Sequence, residues 1–249
     1  MVTACIIQAR LGSTRLPAKV LLPLPTGRTV LEEVLWRCKQ IPGVDVVVAA
    51  IPDTAENNVV AQFAVRQLGA PAEASTAEKI KAIEKGCIVR GSEHDVLARY
   101  EFAARAVNAD VIMRITADCP LLDPATCGEV LKLHQEQGAD YTSNCWPSRR
   151  FPHGWDCEVF TRATLLKAHT EIPPMYETVF GALGGVGRDN PEGAVREHAG
   201  CPWMQKHPDL KIACLKDMYD RSHTRWTLDT IHDYTRIWSV FEQQMRDAA

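Results

Sequence analysis

The chain has 249 residues, with 28 Lys and Arg against 31 Asp and Glu and a formal net charge of −3. Nucleic acids and anionic membranes attract broad basic fields, so this balance argues against both as partners. The first residues lack the basic and apolar segments of a secretion signal, and no apolar run approaches the roughly 20 residues that span a bilayer. Nine scattered cysteines without a CxxC pair indicate reduced thiols in a cytoplasmic protein.

Short β-branched runs alternate with amphipathic stretches in the first half of the chain. The runs predict buried strands over residues 2–8, 44–50, 87–89 and 111–115. The amphipathic stretches predict helices over residues 30–39, 57–68 and 96–107. Thr29 and Glu32 form the capping-box pattern of a helix start. This order predicts an α/β fold, a mostly parallel, doubly wound sheet with helices on both faces and binding sites beyond the carboxyl ends of the strands.

The second half of the chain is less regular. A polar stretch over residues 70–84 predicts a helical insertion. Residues 140–215 are rich in Pro, Gly and aromatic side chains, and they predict a lobe that holds a substrate or a second subunit. An apolar strand over 225–228 and a closing helix over 232–245 follow. We therefore expect one domain, residues 1–249, with 140–215 as an inserted lobe.

The segment IIQARLGSTRLPAKVL, residues 6–21, directly follows the first predicted strand. It places Arg10, Arg15 and Lys19 around a flexible Gly-Ser-Thr turn. Backbone N–H groups on such a turn bind anions, and the three cations add charge, so a triphosphate would account for all of them. The alternative is a solvated turn whose cations pair with local carboxylates. The segment contains neither GxGxxG nor the Walker pattern GxxxxGK[ST].

The stretch QARLGSTRLPAKVL resembles the first motif of the cytidylyltransferases that make CMP-linked sugar acids, in particular those of the spore-coat-polysaccharide type. The resemblance implies a Rossmann-like nucleotidyltransferase fold, CTP as a substrate, a small acidic acceptor and a homodimer. It also implies catalytic roles for Arg10 and Lys19. The residues that it implies for nucleotide binding in this stretch are Gln8, Ala9, Arg10, Leu11, Gly12, Ser13, Arg15 and Lys19.

Two later acids are candidates for a metal site. Asp118, in RITADCPLLD, follows the strand over 111–115, and Asp229, in RWTLDTIHD, follows the strand over 225–228. The family resemblance extends to both segments and implies that both acids are catalytic and bind Mg²⁺, with Ala117 beside the nucleotide. Mg²⁺ prefers one or two carboxylates together with substrate phosphates. Asp123 and Asp233 are instead expected to serve helix starts.

VRGSEHDVLARY, residues 89–100, resembles the base-recognition segment of the same family. The resemblance implies that Arg90, Gly91 and Ser92 bind the nucleotide, with backbone groups that read cytosine. The alternative is a plain helix start capped by Ser92 or Asp95, and we assign Asp95 to capping.

SNCWPSRRFPHGWDCEVF, residues 143–160, is the fourth matching segment. Asp156 and Glu158 alternate along a predicted strand and would share one face. The residues assigned to the acceptor are Arg114, Asn144, Asp156, Glu158 and Arg225. The alternative for Asp156, Glu158 and Arg225 is plain surface charge. The family's Glu-His pair is absent here, where Thr178 follows Glu177, and residues 184–207 show no resemblance. The spacing of His198, Cys201 and His207 fits no standard zinc site.

Together these segments predict a Mg²⁺-dependent cytidylyltransferase that transfers CMP from CTP to an acidic sugar or related acid and releases pyrophosphate. The alternatives within enzymes are a phosphate or phosphonate acceptor and a glycosyltransferase that uses a nucleotide sugar. A nucleotide-binding pseudoenzyme is the alternative outside enzymes. It would be expected to lose a phosphate-binding cation or a metal-binding acid, yet the candidate cations and both acids are present.

Overall fold

A computed structural model describes residues 1–68, 87–173 and 191–247. The described residues form a seven-stranded sheet in the order β3-β2-β1-β4-β6-β5-β7. The strands are β1 (Thr3–Gln8), β2 (Val46–Pro52), β3 (Cys87–Gly91), β4 (Val111–Thr116), β5 (Tyr141–Ser143), β6 (Glu158–Thr161) and β7 (Ile212–Cys214). Strand β6 runs antiparallel to β4 and β5, and the other neighbours are parallel. One edge of the sheet therefore carries the carboxyl ends of the parallel strands together with the amino end of β6.

Helices cover both faces of this sheet. They are α1 (Val30–Cys38), α2 (Asn58–Leu68), α3 (Val96–Ala106), α4 (Pro124–Gln137), α5 (Arg162–Glu171), α6 (Pro191–Glu197), α7 (Cys201–Met204) and α8 (Ile231–Asp247). Alternate residues of β1 point to opposite faces. Cys5 and Ile7 pack in the core with α1, α2 and α4. Ala4 and Ile6 pack in the core with α3, α5 and α7. The predicted doubly wound α/β fold is confirmed.

The helix starts follow the capping signals in the sequence. Thr29 and Glu32 form a capping box at α1, as predicted. Asp95 accepts a hydrogen bond from the backbone N–H of Ala98 at 2.9 Å, and Asp123 caps α4 in the same way. Asp233 lies in the first turn of α8, where an acid stabilises the positive end of the helix dipole. The predicted bounds of α1, α2, α3 and α8 lie within two residues of those observed.

Two expectations for the second half differ from the structure. Part of the predicted lobe belongs to the sheet, because residues 140–215 contribute β5, β6 and β7. Residues 225–228 do not form a strand and make only a single bridge, between His153 and Arg225. They lie beyond the sheet edge, where the Leu228 N–H bonds the Asp118 carbonyl at 2.8 Å instead of a ladder partner. The predicted insertion at 70–84 lies outside the described residues, and the division into domain and lobe stays a prediction.

The structure shows the state of the cysteines and the length and polarity of the helices. All nine cysteines are free thiols, and six of them are buried. None of the helices within the described ranges is long and apolar enough to cross a bilayer.

Candidate active site

The ammonium of Lys19 lies between the two acids that the sequence singled out. Its Nζ donates to Asp118 Oδ2 at 2.6 Å, to Asp229 Oδ1 at 2.9 Å and to the Leu228 carbonyl at 2.8 Å. Both carboxylates therefore contact a single nitrogen, although they are 111 positions apart in the chain. The three side chains converge at the carboxyl edge of the sheet.

Three segments of the chain bring these side chains together. Lys19 begins a short 3₁₀ turn, Lys19–Leu21, at the end of the loop that follows β1. Asp118 stands two residues beyond β4, where the Ala117 N–H bonds the Gln8 carbonyl at 3.2 Å. Leu228 is buried in a small core with Ile237 and Phe241 of α8, which fixes the neighbouring Asp229. Each charged group is thus held by a different part of the fold.

Asp229 is the most heavily paired acid of the cluster. Arg15 contacts its Oδ1 at 2.8 Å, and Arg225 pairs with its Oδ2. Burial alone would raise the pKa of Asp229, but Lys19, Arg15 and Arg225 outweigh burial and hold that pKa below its usual value. Burial likewise opposes the charge of Lys19, yet its two carboxylates outweigh burial and raise the pKa of Lys19. Asp229 and Lys19 are therefore both charged at neutral pH.

The remainder of the β1 loop is held by neighbouring elements. Arg10 pairs with Glu197 of α6 at 3.0 Å. The Leu11 N–H bonds Asn57 Oδ1 at 2.8 Å, and Ser13 Oγ accepts from the Leu16 N–H at 3.4 Å. A Cβ added at Gly12 would lie 3.4 Å from Glu93 Oε1, an ordinary contact, so packing alone does not require a glycine there. Gln8, Ala9 and Arg10 line a small open cavity with Val96, Arg99 and Glu197.

Several side-chain and carbonyl groups of residues 90–92 form hydrogen bonds with other parts of the protein. Arg90 Nε donates to the Pro52 carbonyl at 2.9 Å, which fastens the loop after β2. The Gly91 carbonyl accepts from the Asp53 N–H at 2.7 Å. A Cβ at Gly91 would lie 3.0 Å from Arg99 Cγ, which explains a glycine at this position. Ser92 Oγ accepts from the Asp95 N–H at 3.0 Å, so the helix-start alternative describes Ser92 as well as Asp95.

The acceptor candidates on β4 and β6 form a buried pair. Arg114 and Glu158 are register partners in the sheet and form an ion pair, with 11% and 6% of their side chains exposed. The Tyr141 hydroxyl donates to Glu158, and Gln205 donates to the Tyr141 oxygen at 2.9 Å. Arg114 Nε also donates to Gln8 Oε1 at 3.2 Å, which links this pair to the end of β1. The two charges satisfy each other inside the protein.

The other acceptor candidates are spread along the same edge. Asn144 is fully buried and bonds the backbone of Trp155 and Cys157, which leaves no exposed surface for a ligand. Asp156 precedes β6 and pairs with Arg149 at 2.8 Å, whereas Glu158 is the first residue of that strand. The two acids thus do not alternate within one strand. Their separation reflects the short β6, which begins later than the sequence pattern predicts.

Sequence reasoning missed the partners that surround the site. Glu197, Arg99 and Tyr141 lie far from the motifs along the chain or inside a helix, and no local pattern marks them. The one available signal was Arg99, a charged residue placed between apolar positions of the predicted helix over 96–107.

The donor set of the Lys19 cluster fits a magnesium ion. Within the described ranges, no group of three His, Cys, Asp or Glu residues is arranged to hold a metal. Asp118 and Asp229 supply two converging carboxylates, and Mg²⁺ completes its octahedron with water and substrate phosphates rather than with protein ligands alone. A cation already occupies the space between the two acids, in the form of Lys19 Nζ.

A cation-rich loop after the first strand, with paired acids at the same sheet edge, is an arrangement suited to nucleotidyl transfer. The sequence profile of the cytidylyltransferase family matches residues 4–150. The chain is 36% identical over 244 residues to the spore coat polysaccharide biosynthesis protein SpsF of Bacillus subtilis (strain 168), which covers 96% of this chain and 85% of SpsF. The chain belongs to the cytidylyltransferase family, and it is a nucleotidyltransferase.

Solved structures agree with this assignment. A cytidylyltransferase from Leptospira borgpetersenii serovar Hardjo-bovis (strain JB197) is 28% identical with a TM-score of 0.76, covering 96% of this chain and 86% of that one. CMP:2-keto-3-deoxy-manno-octonic acid synthetase complexed with CTP has a TM-score of 0.61 at 15% identity, covering 98% of this chain and 100% of that one. The second similarity extends the shared fold to a more distant protein.

Proposed function

We propose that the protein transfers CMP from CTP to an acidic sugar or related acid, with Mg²⁺ and with release of pyrophosphate. The observation that carries the proposal is the convergence of Lys19, Asp118 and Asp229 at the carboxyl edge of the sheet. Binding sites of open α/β sheets lie at this edge. Arg15 contacts Asp229 of the cluster, and Arg10, at the start of the same loop, pairs with Glu197; both side chains are partly exposed.

The chain's own residues supply most of what this reaction needs. Negative charge develops on the oxygens of the transferred phosphoryl group and on the departing pyrophosphate. Lys19 and Arg10 are preorganised cations that would stabilise this charge, because a triphosphate can replace their present carboxylate partners. Asp118 and Asp229 would hold Mg²⁺, which when bound neutralises phosphate charge. Lys19 would then face the phosphates instead of the two acids.

The names of the relatives and two partly exposed cations support the choice of an acidic acceptor. SpsF is named for spore coat polysaccharide biosynthesis, and one further relative is a 3-deoxy-manno-octulosonate cytidylyltransferase, 27% identical over 133 residues. A negatively charged sugar acid matches the partly exposed cations Arg149 and Arg225 near the Lys19 cluster. We therefore propose a role in polysaccharide biosynthesis, with a homodimer as the working unit.

A screen for CTP-dependent pyrophosphate release tests the reaction and the acceptor together. Sugar acids, phosphorylated acids and phosphonates would be offered with each of the four ribonucleoside triphosphates and Mg²⁺. We expect release with CTP and a sugar acid. If only phosphorylated acids or phosphonates are turned over, the acceptor is one of these and not a sugar acid. Equal use of UTP, GTP or ATP would refute the cytidine assignment.

The metal role has a readout that does not depend on activity. Asp118→Asn and Asp229→Asn keep the side-chain shape while removing the charge that attracts Mg²⁺. We expect both variants to bind Mn²⁺, followed by electron paramagnetic resonance with CTP present, at least tenfold more weakly than the wild type. Asp247→Asn, an exposed acid near the end of α8, is the matched control. Unchanged Mn²⁺ affinity in both site variants would remove the two acids from the metal site.

A further inference from the structure

Arg99 is a buried guanidinium at the edge of the proposed nucleotide site. It projects from α3, and only 2% of its surface is exposed. Its Nη1 donates to the Glu93 carbonyl at 3.0 Å and also bonds the Ser92 carbonyl. Its Nε is buried and has no hydrogen-bond partner among the described residues. One strong donor is therefore left unused inside the protein.

The charge of Arg99 also lacks a direct counterion. No carboxylate of the described ranges forms an ion pair with it, although Glu93 and Asp95 act on it from a distance. Burial lowers the pKa of Arg99 to about 10, and the nearby charge of Arg10 acts in the same direction. A buried cation without a paired anion costs free energy, and unused buried donors are rare in native proteins. Perturbed buried groups of this kind cluster at functional sites, where a ligand can supply the missing partner.

The cavity beside Arg99 offers a second donor. It has a volume of about 60 Å³, and its lining includes Gln8 and Arg99. Arginine can only donate hydrogen bonds, so the contact of Arg114 Nε with Gln8 fixes the amide oxygen toward Arg114. The Gln8 Nε2 group is then the part of the amide left for the cavity. Glu158 holds Arg114 from the other side, so the orientation of Gln8 is set by a buried ion pair.

We infer that Arg99 Nε and Gln8 Nε2 together read the acceptor edge of the base and thereby select cytosine over uracil. The inference rests on the proposed use of CTP and names the side chains that determine base specificity. The carbonyls of Gly91 and Ser92 already accept hydrogen bonds within the protein. In this inference, side-chain donors from β1 and α3 recognise cytosine, a role that the sequence analysis gave to the backbone of residues 90–92.

The chemistry of the two pyrimidines explains the selection. Cytosine presents two adjacent acceptors, O2 and N3, to a pair of donors. Uracil presents O2 but carries a hydrogen on N3, so one donor would face another donor and remain unpaired. A site built to pair a polar group rejects an analogue that leaves its buried donors unsatisfied.

Gln8→Glu is the sharpest test, because it exchanges the donor NH₂ for an acceptor oxygen and keeps the oxygen that faces Arg114. Dissociation constants for CTP and UTP would be measured by titration calorimetry with Mg²⁺ and without acceptor. We expect the wild type to prefer CTP, and Gln8→Glu to lower the CTP-to-UTP affinity ratio at least tenfold. The uracil N3–H can donate to the new carboxylate, while the cytosine N3 is repelled by it.

Arg99→Lys provides the second arm, since it keeps the positive charge and removes the Nε donor. We expect the affinity ratio to fall here as well. Arg105→Lys, on the same helix with 61% of its side chain exposed, is the matched control and should leave both affinities unchanged. If Arg99→Lys does not fold, as judged by circular dichroism, Gln8→Glu alone decides.

The outcomes separate this inference from the proposed function. A wild type that binds neither nucleotide overturns both. A wild type that prefers CTP, with variants that weaken CTP and UTP by the same factor, leaves the proposed function standing and overturns the inference, because a purely structural role lowers both affinities equally.

Discussion

Two charged clusters lie at the same edge of the sheet, and they differ in how their charges are satisfied. In the Lys19 cluster one ammonium serves two carboxylates, and Asp229 in turn serves Lys19, Arg15 and Arg225. In the pair of Arg114 and Glu158 one cation meets one acid, with Tyr141 donating to the same carboxylate. In the first arrangement each charge is shared among several partners. In the second, one cation and one acid pair with each other.

Exposure separates the outer part of the Lys19 cluster from the buried pair. Lys19 and Asp229 are nearly as buried as Arg114 and Glu158, with side chains 14% and 11% exposed against 11% and 6%. The outer cations of the Lys19 cluster differ, because the side chains of Arg15 and Arg225 are 64% and 38% exposed. A phosphate can replace the carboxylate partner of an exposed cation such as Arg15 at little cost. Replacing a partner inside a buried pair leaves an uncompensated charge. The comparison therefore assigns ligand exchange to the outer cations of the Lys19 cluster and structural support to the buried pair.

The largest expected effect is on stability, from breaking the buried pair. Arg114→Met leaves the Glu158 carboxylate buried without its cation, which typically costs about 3–5 kcal/mol of unfolding free energy. Urea denaturation of the wild type and the variant measures this. Arg246→Met removes an exposed cation from α8 and should cost no more than about 1 kcal/mol. An equal loss in both variants would mean that Arg114 stabilises the fold no more than an exposed cation does, and the buried pair would lose its structural role.

The next effect is on catalysis, from the shared cluster. Lys19→Ala removes a cation that we place against the phosphates, and losing one such group typically lowers the rate about 10²–10³-fold. We expect a loss of this size in kcat/KM for CTP, with a smaller change in unfolding free energy than Arg114→Met produces. Arg10→Ala should follow the same pattern. Near-wild-type turnover in both variants would reduce the β1 loop to a solvated turn.

The sequence predicts the first half of the fold better than the second. The strands β1, β2 and β4 are apolar runs of six or seven residues buried on both faces, so their pattern depends little on the remainder of the chain. The strands β5, β6 and β7 have three or four residues each, too few for a periodic signal. Their pairing depends on contacts between distant segments, so the local pattern of residues 140–215 does not predict these strands.

The same reasoning explains what the sequence said about the site. Asp118 follows a long strand, so its place at the sheet edge could be predicted from topology alone. The convergence of Asp229 could not, because residues 225–228 are not a strand and are held by the Asp118 carbonyl and by packing against α8. The motif resemblance singled out Asp229 correctly as a member of the cluster. Periodicity alone predicted a strand at 225–228 that the structure does not contain.

The buried side chain of His134 predicts how the stability of the fold depends on pH. It lies on α4, is 3% exposed, and its Nδ1 lies 3.0 Å from Thr142 Oγ1 on β5. Burial lowers the pKa of His134 to about 4. The unfolded chain therefore takes up a proton below about pH 6.5 while the folded chain does not, so stability falls as the pH drops from about 6.5 to about 4.

The expected size is about 2–3 kcal/mol between about pH 7 and about pH 4.5. Urea denaturation at both pH values, for the wild type and for His134→Gln, isolates the effect, because other groups titrate in both proteins. We expect the variant to lose less stability than the wild type over this interval. Identical losses would mean that His134 takes up its proton in the folded state as readily as in the unfolded one.

The smallest effect concerns backbone strain beside Lys19. Ala18 has φ of 55° and ψ of 23°, a left-handed conformation that costs a residue with a Cβ about 1–2 kcal/mol. Glycine adopts this conformation freely but loses more entropy on folding, which returns part of the gain. Ala18→Gly should therefore raise the unfolding free energy by about 0.5–1 kcal/mol.

Ala199 has φ of 54° but is fully buried, so Ala199→Gly also removes a packed methyl group. Urea denaturation should show Ala18→Gly as the more stable of the two variants. If both are destabilised equally, the strain at Ala18 does not contribute to the energetics of the loop.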